Sequence, residues 1–308
     1  MRAARIHQFG PPDVIVIDDV PCPTPGRGEL IVRVAAAGVG PWDALIRAGK
    51  ATVNSPLPFI LGAELSGVVA TAGAGVSEFE TGSEVYGATN KQFYGAYAEY
   101  ALARADTPAR RPAVLSDVEA ASAPVVAVTA WQMLFDYGQA KAGQTVLIHG
   151  AAGNVGMYAV QLASQAGLRV FATSSSAEEE YVKSLGATTV IDYQRARFED
   201  VVSPLDIVVD TVGGDTRERS YAVLKPGGIL VSVVTPFPET GHHPGVREAF
   251  FIVDVTTARL NTIAALFAAG KLATHVGAVL PLRQAQTAHE MLAGAPHKRG
   301  KIVLTLPD

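Results

Sequence analysis

The stretch "TVLIHGAAGNVGMYAVQLASQAG", residues 145–167, decides the fold. A short apolar run ends at Gly150, a glycine-rich turn follows, and apolar residues then recur at helical spacing. Set against the dinucleotide fingerprint G-x-G-x-x-G, the turn reads Ala151-Ala152-Gly153-Asn154-Val155-Gly156. The second glycine, which lets the backbone approach a pyrophosphate, and the third, which lets helix and strand pack closely, are both present. Only the first is replaced, and Gly150 stands one step earlier to supply the conformational freedom the turn needs. A strand before and a helix after aim the helix N-terminus at the phosphates, where N–H groups and the helix dipole favour anions.

Outward from this turn the pattern repeats. Strand-like runs appear at "TVLIHG", "LRVFAT", "TTVID", "DIVVDT", "GILVSVV" and "FFIVDV". Helix-like segments such as "VGMYAVQLASQAG", "AEEEYVKSLG" and "DTRERSYAVLKPGG" fill most of the gaps. Such alternation predicts an α/β domain with a doubly wound, six-stranded parallel sheet. The loop "TPFPETGHHPGVREA" before the sixth strand is the expected mobile segment.

The first 120 or so residues have another texture. Gly and Pro punctuate β-branched runs such as "VIVIDD", "LIVRVAAAG", "LSGVVATAG" and "EVYGA", which predicts a mostly β domain. One short helix is expected near 41–47, with Gly40 as cap, Pro41 at the first helical position and Asp43 in the first turn. After about residue 260, a helix, a strand, a helix and the strand "KIVLTL" do not continue the sheet repeat and are expected to fold back onto the first domain. The expected domains are therefore 1–123, 124–258 and a C-terminal return, 259–308.

Bulk properties narrow the function. The chain has 308 residues, is 48% hydrophobic and carries a formal charge of −4, which argues against a nucleic-acid or anionic-membrane surface. The apolar stretch "ASAPVVAVTAWQMLF" is broken by Pro124 and too short to span a bilayer, and no secretory leader is visible. The lone cysteine, Cys22, excludes an internal disulfide and a multi-cysteine metal site. A cytoplasmic protein is expected.

The choice of nucleotide rests on the end of the second strand. NAD-binding sheets carry an acid there for the adenosine 2′-hydroxyl; this chain reads Ala172-Thr173-Ser174-Ser175-Ser176. Small hydroxyl side chains leave room for a 2′-phosphate, with Tyr193 as a second wall, so NADPH is favoured over NADH. Against that stand the glutamates 178–180, which also suit the first turn of a helix.

Eight stretches in order, "AAGVGPWDALIRAG", "LGAELSGVV", "GAYAEY", "VTAWQML", "VLIHGAAGNVGMYAVQLA", "LGATTVIDY", "DIVVDTVGG" and "RGKIVL", resemble the zinc-independent quinone oxidoreductases (the zeta-crystallin-like branch) of the medium-chain dehydrogenase/reductase superfamily. The resemblance runs the length of the chain. It implies a GroES-like substrate domain, a Rossmann domain, a C-terminal return and a homodimer. It also implies contacts from Ala152, Gly153, Asn154 and Val155 to the pyrophosphate, and from Ser174 and Tyr193 to the adenosine side. Val212 and Gly213 would follow the fourth strand, and Val233, Val234 and Thr235 the fifth. Ile252 and Val253 would line the nicotinamide carboxamide. For the apolar members, sheet packing is the competing explanation.

The chain also departs from its relatives. Zinc-dependent members carry a cysteine where Gly40 stands and a histidine where Ala63 stands, and a catalytic zinc needs about three protein ligands. Glu64 alone cannot supply them and is expected in a structural ion pair. No metal site is expected. The family's nucleotide-site lysine falls on Glu178, and a substrate-side tyrosine of some relatives falls at about Ala51.

What remains is hydride transfer to an acceptor that needs little activation, a quinone or an α,β-unsaturated carbonyl. Thr129 resembles the family threonine beside the nicotinamide, and Asp43 stands on the substrate-side helix as a proton relay or simply as a helix-start residue. Gly40 and Trp42 are the expected pocket wall. His242 and His243 are expected in solvent, His289-Glu290 lacks the second histidine of a zincin helix, and "HKRGK" at 297–301 is expected to be solvated. Two alternatives stay open: an alkenal or enone reductase that ignores quinones, and a non-catalytic NADPH-binding redox sensor.

Overall fold

The computed structural model describes residues 1–51, 56–202, 204–238 and 243–306. The chain forms two compact units, residues 1–125 with 254–308, and residues 126–253.

In the first unit β1 (Arg2–Ile6) pairs with β2 (Ile15–Asp19), and the long β3 (Glu29–Val39) leads into α1 (Pro41–Arg47). There follow β4 (Phe59–Ile60), β5 (Glu64–Ala72), β6 (Glu84–Ala88), β7 (Tyr100–Arg104) and β8 (Pro108–Arg110), then α2 (Asp117–Ala121). The strands are short, and glycine turns with positive φ, such as Gly28, Gly75 and Gly82, separate them, as the punctuated sequence requires. Inward residues of β1, β3 and β5, among them Ile6, Leu30, Val32 and Leu65, form the core.

The second unit begins inside α3 (Pro124–Trp131), which continues through a π-helical turn at 132–137. Its strands are β9 (Thr145–Ile148), β10 (Arg169–Ser174), β11 (Thr189–Asp192), β12 (Leu205–Asp210), β13 (Leu224–Ser232) and β14 (Arg247–Phe250), and its further helices are α4 (Gly156–Gln165), α5 (Glu179–Ser184) and α6 (Gly214–Ser220). All six strands are parallel, in the order β11-β10-β9-β12-β13-β14. The order reverses between β9 and β12, and open α/β sheets bind ligands outside the carboxyl ends at such a point.

Two sequence readings need correction. Helical character does not extend through "LKPGG": α6 stops at Ser220, and β13 already begins at Leu224, since Pro226 cannot donate within a helix. The sixth strand is Arg247–Phe250 rather than "FFIVDV", because β14 pairs with β13 only as far as Ser232↔Phe250. Beyond that point Phe251 turns inward and stacks on Tyr137, ring centroids 4.3 Å apart, while Ile252 is 74% exposed.

The chain then returns to the first unit through α7 (Thr257–Ala268), β15 (Val276–Pro281), α8 (Ala285–Leu292) and β16 (Lys301–Thr305). β16 runs antiparallel to β3, with Ile302 opposite Val39. Among the described residues no helix is long and apolar enough to cross a membrane.

The glycine turn has the shape the sheet demands. Gly150 takes the positive φ of +69°, so the chain can bend while Ala151 stays fully buried. A Cβ on Gly156 would overlap the Gly150 carbonyl oxygen and lie 2.7 Å from the Ala151 Cα. Gly156→Ala is expected to destabilise the protein by about 1–3 kcal/mol, the usual range for overpacking a tight site. Thermal unfolding checks this, and an unshifted midpoint would mean that the helix start relaxes freely.

Candidate functional site

Three loops leave the carboxyl ends of β9, β12 and β13, and the sheet order sets them side by side. The buried carboxylate of Asp210 ties two of them together. Its Oδ1 accepts from the amides of Val212 and Gly213 at 2.9 and 2.8 Å, and its Oδ2 accepts from the Ser232 hydroxyl at 2.7 Å. Ser232 Oγ in turn accepts from the Val234 amide at 3.3 Å, and Arg217 holds both oxygens of Thr235 at 3.0 Å. Beneath the first loop the His149 ring bridges the Thr173 and Ser220 hydroxyls at 3.1 and 3.0 Å, and burial pushes its pKa down to about 4.

The edge suits a dinucleotide. Gly153 is exposed and Ala152, Asn154 and Val155 are half-buried just before α4, so the helix start lies at an open edge, where a helix N-terminus favours anions. Beside them Tyr193 (62%), Val212 (50%) and Val234 (41%) are exposed apolar side chains, and Gly213 packs so close to Val234 that a Cβ would lie 2.8 Å from it. Val233 is half-buried, and Ile252 and Val253 lie beyond the end of β14. A concentration of apolar surface at one sheet edge is what a bound planar ligand covers.

The serine cluster behaves differently from its sequence reading. Thr173 and Ser174 are buried, with the Thr173 hydroxyl engaged by His149 and the Ser174 hydroxyl donating to the Ser175 carbonyl at 3.1 Å. Ser175 is partly open and Ser176 exposed. Glu179 and Glu180 both reach Lys183, at 2.7 and 3.1 Å, which offsets their charge. His243 is exposed, as expected, with its ring stacked on Tyr221 at 3.5 Å, and His242 lies outside the described residues. Thr129 is buried near the end of α3, just before the π-helical turn.

In the first unit α1 starts as the sequence predicts. Gly40 is its cap, and the Asp43 Oδ2 reaches back to the Gly40 amide at 2.8 Å. That same oxygen accepts from the Tyr97 hydroxyl at 2.9 Å, and Asp43 is wholly buried, so it touches no open surface. Burial pushes its carboxyl up to about 7, against the lowering effect of the Gly40 amide and the Lys301 charge.

Trp42 folds back over Gly40, where any Cβ would overlap its indole. On the indole sits the Lys301 ammonium, 4.3 Å from the ring centroid and 2.5 Å from Glu64 Oε2. Glu64 Oε1 accepts from the Val125 amide at 2.7 Å. The structural ion pair expected of Glu64 is thus found, and its partner comes from "HKRGK". Lys301 is not solvated: it begins β16 and is 1% exposed, because Glu64 compensates its charge inside the unit.

Next to Trp42 lies Phe93, ring centroids 6.5 Å apart, with a φ of +60° that is unusual for a bulky residue and common at ligand sites. His289 is buried on α8, its Nδ1 2.9 Å from Arg47, and burial pushes its pKa down to about 3. Tyr97, Phe93 and Asp210 were not singled out from the sequence, and Lys301 was read only within the solvated stretch "HKRGK". For Tyr97 and Lys301 the only signal was membership of the family stretches "GAYAEY" and "RGKIVL".

A zinc ion does not fit. Among the described residues no three His, Cys, Asp or Glu side chains converge, and a cysteine at position 40 would collide with Trp42.

Asp43 has a directional effect on stability. Between about pH 4 and 7 the folded chain holds a proton that the unfolded chain has released, so this contribution is full at low pH and is lost as pH rises to 7. His149 and His289 act oppositely, contributing stability above about pH 6.5 that is lost on acidification. Asp43→Asn removes only the first term. Its stability relative to wild type is therefore expected to rise from about pH 5 to 7, by at most about 1.4 kcal/mol per pH unit, then level off. Urea unfolding across this range checks it, and parallel profiles would show Asp43 ionised throughout.

Comparison with known proteins agrees with this architecture. Residues 26–113 match the family model of the alcohol dehydrogenase GroES-like domain, and 185–304 match that of zinc-binding dehydrogenases. The quinone oxidoreductase of Mus musculus is 30% identical over 326 residues, covering 99% of this chain and 98% of that protein. A 2-methylene-furan-3-one reductase of Solanum lycopersicum is 34% identical, covering 88% of this chain and 70% of that protein. The Escherichia coli quinone oxidoreductase complexed with NADPH superposes with a TM-score of 0.88 at 28% identity, over 99% of this chain and 100% of that one. The chain belongs to the medium-chain dehydrogenase/reductase superfamily, in the zinc-independent branch of the quinone oxidoreductases.

Proposed function

We propose that the protein is an NADPH-dependent, metal-free reductase of quinones or α,β-unsaturated carbonyls. The observation that carries this reading is the Trp42 indole lying against Gly40 under the Lys301 ammonium. An aromatic face and an internal cation occupy ground that a zinc-dependent relative gives to a thiolate ligand. Acceptors that need no Lewis acid suit such a site, because the charge they gain delocalises onto an oxygen.

When bound, NADPH supplies the hydride that reduces the acceptor. Ala152, Gly153, Asn154 and Val155 would hold the pyrophosphate at the start of α4, and Val212, Gly213, Val233, Val234 and Thr235 would border the dinucleotide. Ser174, Ser175 and Tyr193 would border the adenosine, and Ile252 and Val253 the carboxamide. The Thr129 hydroxyl orients the acceptor oxygen, and water delivers the proton that completes a hydroquinone or saturated carbonyl. Asp43, being buried, is a positioning residue that fixes Gly40 and Tyr97 and with them the Trp42 wall. Trp42 and Phe93 present flat apolar faces to a planar acceptor. The complex of the Escherichia coli relative with NADPH supports the cofactor, and the names of the mouse and tomato relatives support the two acceptor classes.

NADPH oxidation is expected with 1,4-benzoquinone, and it should survive a metal chelator. Turnover of a 2-alkenal alone would favour the dedicated enone reductase, and tight NADPH binding without turnover of either would favour the redox sensor. NADPH is expected to bind at least about tenfold tighter than NADH, and equal affinities would remove the NADPH preference. A homodimer joined along the β14 edge belongs to the same reading and is checked by sedimentation, where a monomer would exclude it.

A further inference from the structure

The hydroxyls of Thr173 and Ser174 are spent inside the fold, so they do not explain how this chain would hold a 2′-phosphate. Beside them, at the carboxyl ends of β10 and β11, is a cavity of about 240 Å³. It is lined by Thr173, Tyr193, Arg195, Arg197, Phe198 and Arg219. That volume is several times the roughly 30 Å³ of one water molecule, ample for a phosphate.

Three guanidiniums border it, and their charges are met unequally. Arg197 and Arg219 share the carboxylate of Glu199, at 3.0 and 3.1 Å, and Arg219 also reaches Asp215 at 2.9 Å while lying over the Phe198 ring. For Arg195 no carboxylate lies within ion-pair distance among the described residues. Its backbone is nevertheless well fixed. The Tyr193 amide bonds the Ser174 carbonyl at 3.2 Å, the Gln194 amide bonds Asp192 Oδ1 at 3.0 Å, and the amides of Arg195 and Ala196 both bond the Asp192 carbonyl at 3.0 Å. This tight turn ties the residue to the end of β10, where the acid of an NAD-binding sheet would stand.

We propose that Arg195 is the residue that recognises the adenosine 2′-phosphate of NADPH, with Tyr193 as the wall beside it. The inference rests on the NADPH reading above. A guanidinium presents parallel N–H donors that match phosphate oxygens, and a phosphate monoester carries close to two negative charges at neutral pH. NADH, lacking this group, would gain nothing from the contact.

Dissociation constants of NADPH, NADH and 2′,5′-ADP for the full-length wild type, Arg195→Ala, Arg195→Lys and Arg197→Ala, measured by calorimetry, test this. Arg195→Ala is expected to weaken NADPH and 2′,5′-ADP roughly ten- to hundredfold, the worth of a charged hydrogen-bonded contact, and to leave NADH within about twofold. Arg195→Lys should recover part of the loss, and Arg197→Ala should leave the NADPH-to-NADH ratio near that of wild type. A wild type that prefers NADPH while Arg195→Ala keeps the same ratio would overturn the assignment of Arg195 and leave the cofactor reading intact. Equal weakening of NADPH and NADH in Arg195→Ala would also overturn it. A wild type without preference would overturn both.

Discussion

The buried contact between Glu64 and Lys301 is the constraint on which the first unit depends. It joins the start of β5, the start of β16 and the Val125 amide, three points far apart in sequence. Each ion would cost several kcal/mol to bury alone, and removing one partner of such a pair typically costs about 3–5 kcal/mol. Each side chain compensates the other's buried charge, so the C-terminal return and the N-terminal sheet stabilise one another. Antiparallel pairing of β16 with β3 supplies the register that brings Lys301 to Glu64.

From that pair the shape of the site follows. The ammonium lies on the Trp42 indole, the indole lies on Gly40, and Asp43 clamps the Gly40 amide from the next turn of chain. A side chain at position 40 would displace the ring and with it the cation–π contact, worth about 2 kcal/mol or more when desolvated. Glycine at 40 is therefore required by the Trp42 ring that lies over it.

Much of this was legible in the sequence, because periodicity and turn chemistry report local structure directly. The alternation of apolar runs with helical patterns marked four of the six parallel strands close to their observed bounds, and the glycine turn announced its own geometry through Gly150 and Gly156. The sixth strand was misplaced because β14, with the sequence Arg-Glu-Ala-Phe, has little hydrophobic signal, while the apolar residues just after it serve packing against Tyr137. Lys301 was misread for the opposite reason. Charged residues around it suggest solvent, and only the distant Glu64 makes burial tolerable. The Thr173 and Ser174 hydroxyls were visible as types, but their partners, His149 and a neighbouring carbonyl, depend on tertiary packing.

The two units also resolve their charges in contrasting ways, and this bears on what each can take. In the first unit the charges around Trp42 are satisfied from within: Lys301 by Glu64, Asp43 by Gly40 and Tyr97, Arg47 by the neutral His289 and the Gly10 carbonyl. Among the charges named here none is left unengaged for a charged substrate, whereas a neutral ring would lose nothing by leaving water for the faces of Trp42 and Phe93. In the second unit the sheet edge offers backbone amides at the start of α4 and a cation at Arg195 whose charge no neighbouring carboxylate meets among the described residues. Both features favour anions. The surroundings of Trp42 thus suit a neutral group and the edge beside Arg195 an anionic one, a contrast that electrostatics alone produces.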